Sequence, residues 1–298
     1  MNRTGAAPII VLLFGLATFA QAPKNSDKMS IPISTRALLE GVKSRESRSV
    51  IKSVLMIVCR KDSLKGTGFV VSGEGIVTTN SHVIGSCSAE QLEGISSVSQ
   101  NPIKFSKLVR DPNRDLALLC PTNQLSFSLD LSGDETPTID TEVETWGYPL
   151  RYQDPAPILR RGYVAGYTLA KDSNGQPKNP PVQHLIVNGA LNPGNSGGPL
   201  INRETGRVIG TVVEKWALWS PNVEMAIKGF ANSAIRSSGT FSGTDANGKQ
   251  VFVSDQAVLA LVLKEFYDAS QVMVGEAISV SELNVFIKEK KQELSCKQ

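Results

Sequence analysis

From Ser49 to about residue 236 the chain is a succession of short runs of β-branched and other apolar residues, each closed off by a cluster of Gly, Pro, Asn or Asp. The runs are Val50–Val58, Gly68–Val71, Gly75–Thr79, Leu116–Leu119, Val143–Trp146, Tyr163–Tyr167, His184–Val187 and Val208–Val213. Branched and aromatic side chains fit a pleated surface, and the breakers between runs supply tight turns. Helical patterns do not alternate with these strands, so a parallel α/β sheet is excluded. An all-β barrel or sandwich is expected.

The flanks differ from this centre. Arg3 precedes an apolar stretch from Pro8 to Ala20, followed by small residues at Ala20 and Ala22, the pattern of a signal peptide over residues 1–22. An uncleaved anchor is the alternative, although the stretch is shorter than the ~20 residues a membrane helix needs. No second apolar run is long enough to span a bilayer, so no membrane span is expected once the signal is removed. Residues 23–48 read as a polar N-terminal arm with a short helix near Thr35–Val42. Residues 237–298 read as a Gly/Ser/Thr-rich linker followed by a helical tail, with apolar bands at Ala257–Tyr267 and at Leu283, Val285, Phe286 and Leu294.

The formal charge of +3 comes from 31 basic and 28 acidic residues scattered along the chain, which does not suggest a nucleic-acid partner. Lys288, Lys290 and Lys291 are interleaved with Glu289 and Glu293, as on a solvated helix face. Export would bring the four cysteines, Cys59, Cys87, Cys120 and Cys296, into an oxidising compartment. Three full pairings are open. Cys87–Cys120 is favoured because each cysteine closely follows a candidate catalytic motif, and those motifs should lie side by side. Four buried thiols are the alternative.

Three motifs carry chemistry. Thr78-Thr79-Asn80-Ser81-His82-Val83-Ile84 ends a predicted strand. Arg114-Asp115-Leu116-Ala117-Leu118-Leu119 opens one with an acid. Asn192-Pro193-Gly194-Asn195-Ser196-Gly197-Gly198-Pro199-Leu200 is a glycine-rich loop around a serine. A serine hydroxyl is a weak nucleophile that needs a base, histidine titrates in the useful range, and a carboxylate fixes the imidazole tautomer. His82, Asp115 and Ser196 occur in the chain order of the chymotrypsin-type triad and not in that of the subtilisin or α/β-hydrolase types. Glycines beside Ser196 would let the backbone N–H groups of Gly194 and Ser196 converge on an oxyanion. His184, the other histidine, is expected to be a satisfied structural residue. No Cys/His spacing suggests a metal, no Gly-rich loop followed by Lys suggests a phosphate site, and no cofactor is implied.

At these residues the chain resembles trypsin-like serine proteases, and within them the HtrA (Deg) branch. Gly66–Val71 through Asn80-Ser81-His82-Val83, Asp115–Leu119, Trp146-Gly147-Tyr148-Pro149, Leu191–Leu200, Val208-Ile209-Gly210 and Gly229-Phe230-Ala231 carry the resemblance, which covers residues 49–236. It implies two six-stranded antiparallel β-barrels, roughly 49–135 and 136–236, with the active site between them. It also implies hydrolysis of protein or peptide substrates through an acyl-enzyme, without a cofactor, with Gly194, Asn195 and Ser196 framing the oxyanion hole. Asn188-Gly189 stands where the branch usually has Thr-Asp, there is no PDZ signature, and no Ile-Val-Gly-Gly start suggests activation through a freed N-terminus. Ala190, Leu191, Asn192, Val212 and Val213 are the candidate pocket residues. With no acid among Ala190-Leu191-Asn192, a small or medium apolar P1 residue is expected. The competing readings are a protease-fold binding module and a processing enzyme of narrow specificity.

Overall fold

The computed structural model describes residues 39–42, 44–99, 101–150, 156–172, 174–189, 191, 193–215, 240–244, 250–254, 258–260, 262–263, 274–294 and 296. The expected signal segment, most of the arm, Ala190, Asn192 and the Gly229–Ala231 motif lie outside the described residues. The chain divides into two compact units, residues 28–218 with 268–298, and residues 1–27 with 219–267.

In the larger unit residues 39–41 are helical, and helix α1 (Arg45–Ser53) follows, whose N-cap Ser44 side chain accepts the Ser47 N–H at 2.9 Å. Glu46 in its first turn and Lys52 in its last suit the helix dipole. The run Val50–Val58, expected as one strand, is therefore split at Ser53. Val50–Ser53 form the last turn of the helix, from which Val50 and Ile51 bury their side chains.

Strands β1 (Val54–Cys59), β2 (Leu64–Val71), β3 (Ile76–Thr79), β4 (Leu92–Ser96), β5 (Ile103–Asp111) and β6 (Leu116–Pro121) close into an antiparallel barrel in the order β1-β2-β3-β6-β5-β4. A short helix, α2 (Ser81–Ile84), follows β3. The second barrel contains β7 (Glu142–Gly147), β8 (Ile158–Leu169), β9 (Gln183–Asn188), β10 (Pro199–Asn202), β11 (Val208–Lys215) and β14 (Val274–Ser279), ordered β10-β11-β14-β9-β8-β7 with β10 paired back to β7. In the smaller unit β12 (Thr240–Thr244) and β13 (Gln250–Ser254) form an antiparallel pair, and residues 258–260 and 262–263 are helical.

The expected architecture of two six-stranded antiparallel barrels and a C-terminal helix is present, but its boundary moves. Residues 237–298 are expected from sequence to be a linker and helical tail. Instead β14, from within that segment, is the sixth strand of the second barrel, between β9 and β11. Its sequence, Val-Gly-Glu-Ala-Ile-Ser, is short and weak in intrinsic β preference, so its conformation is set by pairing on both sides. Helix α3 (Val280–Leu294) follows at once and buries Leu283, Phe286, Ile287 and Leu294, while Val285 of the expected apolar band stays exposed.

Why β2, β3 and β6 read as continuous apolar runs is now plain. Leu55, Ile57, Val77, Ala117 and Leu119 form part of the first barrel's core. Phe69, Val71, Ile76, Leu116 and Leu118 join Trp146, Ile201 and Val213 of the second barrel, together with residues of α1 and α3, in a shared cluster. These strands are buried on both faces, and each fully buried Leu, Val or Phe contributes about 1.5–3 kcal/mol.

Candidate active site

Strand register brings the histidine and the acid together. Thr79 at the end of β3 pairs with Ala117 near the start of β6. The residues just outside these ends, α2 on one side and Asp115 on the other, must therefore be neighbours. Val83 and Ile84 anchor α2 in the first barrel's core, leaving His82 half exposed. The Asp115 carboxylate accepts the His82 backbone N–H on Oδ1 at 3.0 Å, and His82 Nδ1 lies 2.7 Å from Oδ2. A carboxylate at that distance holds the ring proton on Nδ1 and leaves Nε2 as the basic nitrogen. Asp115 has φ 56°, in the left-handed region. Its carbonyl is held by the Ser81 N–H at 3.1 Å and Asn80 Nδ2 at 2.9 Å.

The serine loop enters from the second barrel. The Ser196 carbonyl accepts the Thr67 N–H at 2.8 Å, the Gly197 N–H donates to Val212 O at 2.8 Å, and the Gly198 N–H donates to Asn195 O at 2.9 Å. Gly197 has φ 84°, and a Cβ there would lie 2.1 Å from Thr67 O, 2.2 Å from Thr79 Oγ1 and 3.0 Å from Asn80 N. The loop is thus seated directly on the residues that lead into α2. Gly194 has φ 96°, and its missing Cβ would lie 2.4 Å from Tyr148 O. Both positions demand glycine twice over, for backbone conformation and for space.

Thr67, which the sequence reading passed over, joins the two sides. Its hydroxyl donates to Gly194 O at 2.7 Å and accepts the Tyr148 N–H at 3.0 Å. The signal was available in Gly66-Thr67-Gly68, where flanking glycines permit close backbone approach. Asn195 is buried, and neither atom of its carboxamide has a hydrogen-bond partner.

The pocket candidates divide. Leu191 and Val212 are buried within the second barrel's core, and Val213 belongs to the shared cluster. The backbone of Val212 meets the serine loop, exchanging hydrogen bonds with Gly197 and Gly198. His184 is buried, with Nδ1 2.7 Å from Glu276 Oε2. Among the described residues no group of three or more His, Cys, Asp and Glu side chains could hold a metal ion, and no helix is long and apolar enough to cross a membrane.

The Cys87–Cys120 pairing is corrected. The disulfides are Cys59–Cys87, with Cα atoms 6.0 Å apart, and Cys120–Cys296, at 5.4 Å. Side chains along β6 alternate in direction. Ala117 and Leu119 face the first barrel's core, where Cys59 and Cys87 lie, whereas Leu116, Leu118 and Cys120 face the shared cluster and α3. That each cysteine closely follows a motif, and that the motifs lie side by side, could not reveal that Cys87 and Cys120 are buried on opposite sides of β6.

Residues 66–210, from β2 to β11, match the family of trypsin-like peptidase domains. The chain is similar to a probable periplasmic serine endoprotease DegP-like protein of Pseudomonas putida F1, 33% identical over 148 residues, which are 49% of this chain and 28% of the relative. It is also similar to human serine protease HTRA4, 31% identical over 157 residues, 49% of this chain and 29% of the relative. The chain thus spans less than a third of the length of these curated relatives. Among solved structures, the inactive form of Rv3671c protease shares the fold, with a TM-score of 0.53 and 17% identity over 85% of this chain and 94% of that one.

Proposed function

We propose that this chain is a serine endopeptidase in which Ser196 attacks the scissile carbonyl, His82 takes the hydroxyl proton and Asp115 orients the imidazole. The observation that carries the reading is the 2.7 Å contact of His82 Nδ1 with Asp115 Oδ2, at the corner where Thr67 ties down the Ser196 carbonyl. As Nε2 receives the proton, the carboxylate stabilises the imidazolium. The proton then passes to the leaving amine, an acyl-enzyme remains on Ser196, and water attacks it in a second round using the same base. The N–H groups of Gly194 and Ser196, on a loop held by Gly194 and Gly197, receive the oxyanion. Loss of one such donor typically costs about 2.7–4 kcal/mol of transition-state stabilisation.

Substrates are proteins or peptides, with a small or medium apolar P1 residue. The protein works in a secreted or periplasmic compartment after removal of a signal segment, which suits its two disulfides and its likeness to a periplasmic DegP-like protein.

Cleavage of an unfolded protein such as casein, followed by sequencing of the new termini, tests the proposal. Wild type is expected to cut after apolar residues and Ser196→Ala is expected to be inert. A folded wild type that binds casein without cutting it would establish the binding-module reading instead.

A further inference from the structure

The acid of the His82–Asp115 pair is held by more than its histidine. Asp115 occupies a left-handed conformation at φ 56°, which a non-glycine residue keeps only when its surroundings enforce it. Its neighbour Arg114 is the most heavily engaged charge described here, with a side chain only 14% exposed. Nη1 donates to Asp111 Oδ2 at 2.6 Å and to Glu289 Oε2 at 3.0 Å, Nη2 donates to Glu289 Oε1 at 3.3 Å, and Nε donates to Glu282 Oε2 at 3.2 Å. Asp111 closes the turn from below, accepting the N–H groups of Asn113 and Arg114 on Oδ1. Glu282 and Glu289 both belong to α3. The second oxygen of Glu282 accepts the Gln183 N–H at the start of β9, at 3.0 Å.

Helix α3 is therefore fastened along β6 at both ends: Arg114 grips it just before the strand begins, and the Cys120–Cys296 disulfide fixes it where the strand ends. The C-terminal helix, the second barrel through Gln183, and the turn that presents the acid form one connected frame. Neither hydrogen bonding within the β5–β6 turn nor packing of α3 by itself requires an arginine whose forked guanidinium reaches three carboxylates.

We propose that Arg114 is a positioning residue, which by gripping Glu282 and Glu289 of α3 holds Asp115 in the orientation that aligns His82. The inference rests on the reading of His82, Asp115 and Ser196 as the reacting groups. It gives α3, outside the segment matched to the family, an indirect part in catalysis through the orientation of Asp115.

The test uses the full chain with both disulfides formed and compares Arg114→Gln, Arg114→Lys, the pair Glu282→Gln with Glu289→Gln, and Lys288→Gln. Lys288 leaves α3 on another side, toward Asp134, and serves as the control. Steady-state kinetics on one peptide substrate are measured beside the low-field proton resonance of the His82 Nδ1–H, a readout that fold stability alone does not move. Arg114→Gln is expected to lower kcat on the order of 10- to 100-fold with little change in KM, as for a catalytic group displaced by about 1 Å. It should also shift or broaden the His82 resonance, and Arg114→Lys should restore only part of either loss. If Arg114→Gln does not fold, the glutamate pair carries the same expectation while leaving Arg114 on Asp111. A folded Arg114→Gln or glutamate pair with wild-type kcat and an unmoved resonance overturns the inference, as does an equal effect in Lys288→Gln. If Asp115→Asn or Ser196→Ala keeps full turnover, the underlying catalytic reading fails instead.

Discussion

Placing a single methyl group at Gly197 should disarm the site. Gly197 sits at φ 84°, where an L-residue costs roughly 1–2 kcal/mol. Its Cβ would also stand 2.1 Å from Thr67 O and 2.2 Å from Thr79 Oγ1, the first a backbone atom of β2 and the second a side chain hydrogen-bonded to that same oxygen. Relief requires the serine loop to back away by about 1 Å, and overpacking of this kind typically costs a further 1–3 kcal/mol. Gly197→Ala should thus lose about 2–5 kcal/mol of stability in urea unfolding. Because Ser196 moves with the loop, kcat/KM should fall on the order of 10²-fold in the fraction that remains folded. Gly73→Ala separates the two causes. Gly73 has φ 75° with nothing within 4 Å of its missing Cβ, so it carries the conformational cost alone and should leave turnover unchanged. A folded Gly197→Ala enzyme that matches wild type in turnover would refute the claim that this glycine sets the nucleophile against β2 and α2.

Further expectations rest on separate contacts. Asp115→Asn should lower kcat on the order of 10⁴-fold, because both carboxylate oxygens accept from His82 and an amide can accept at only one of them; a loss under about tenfold would contradict this. Replacing Cys120 and Cys296 together by alanine opens a crosslink spanning 176 residues and should cost roughly 3–5 kcal/mol of unfolding free energy, read as a lower urea midpoint; a loss below about 1 kcal/mol would speak against that crosslink. Burial works against the charge of Glu93, but hydrogen bonds from Lys104 and Arg60 hold its carboxyl below the ordinary glutamate value of 4.5. Since the folded value is the depressed one, its stabilisation is present above pH 4.5 and is lost as pH falls through the folded value. Glu93→Gln should therefore lower stability in the neutral range and flatten its fall on the acid side, read by urea unfolding across pH 3–7; an acid limb as steep as in wild type would contradict this.

The parts of the site that were legible in sequence are those fixed by local chemistry. A histidine after a strand end, an acid before a strand start and a serine among glycines are each set by a few consecutive residues. Antiparallel register then suffices to join His82 to Asp115. What sequence missed depends on long-range placement. Val274–Ser279 has little strand character of its own and is a strand because β9 and β11 lie on either side. Proximity to motifs favours pairing Cys87 with Cys120, whereas alternation along β6 turns Cys120 toward the shared cluster, away from the first barrel's core in which Cys87 is buried. Val50–Ser53 look extended by composition but close helix α1, whose capped start at Ser44 lies outside the apolar run and whose last turn buries Val50 and Ile51. Leu191 and Val212, candidate pocket residues by position, are buried in the core of the second barrel, a placement that depends on strand pairing far along the chain. Arg114 looked like an unremarkable neighbour of Asp115, since its partners Glu282 and Glu289 lie far along the chain.

The central claim is that an imidazole aligned by a carboxylate activates one particular hydroxyl. Incubating the folded protein with a fluorophosphonate and locating the adduct by peptide mass spectrometry tests this most directly. The account predicts a single adduct on Ser196 in wild type and none in folded His82→Ala. An unlabelled wild type, or an adduct on another serine, would contradict it.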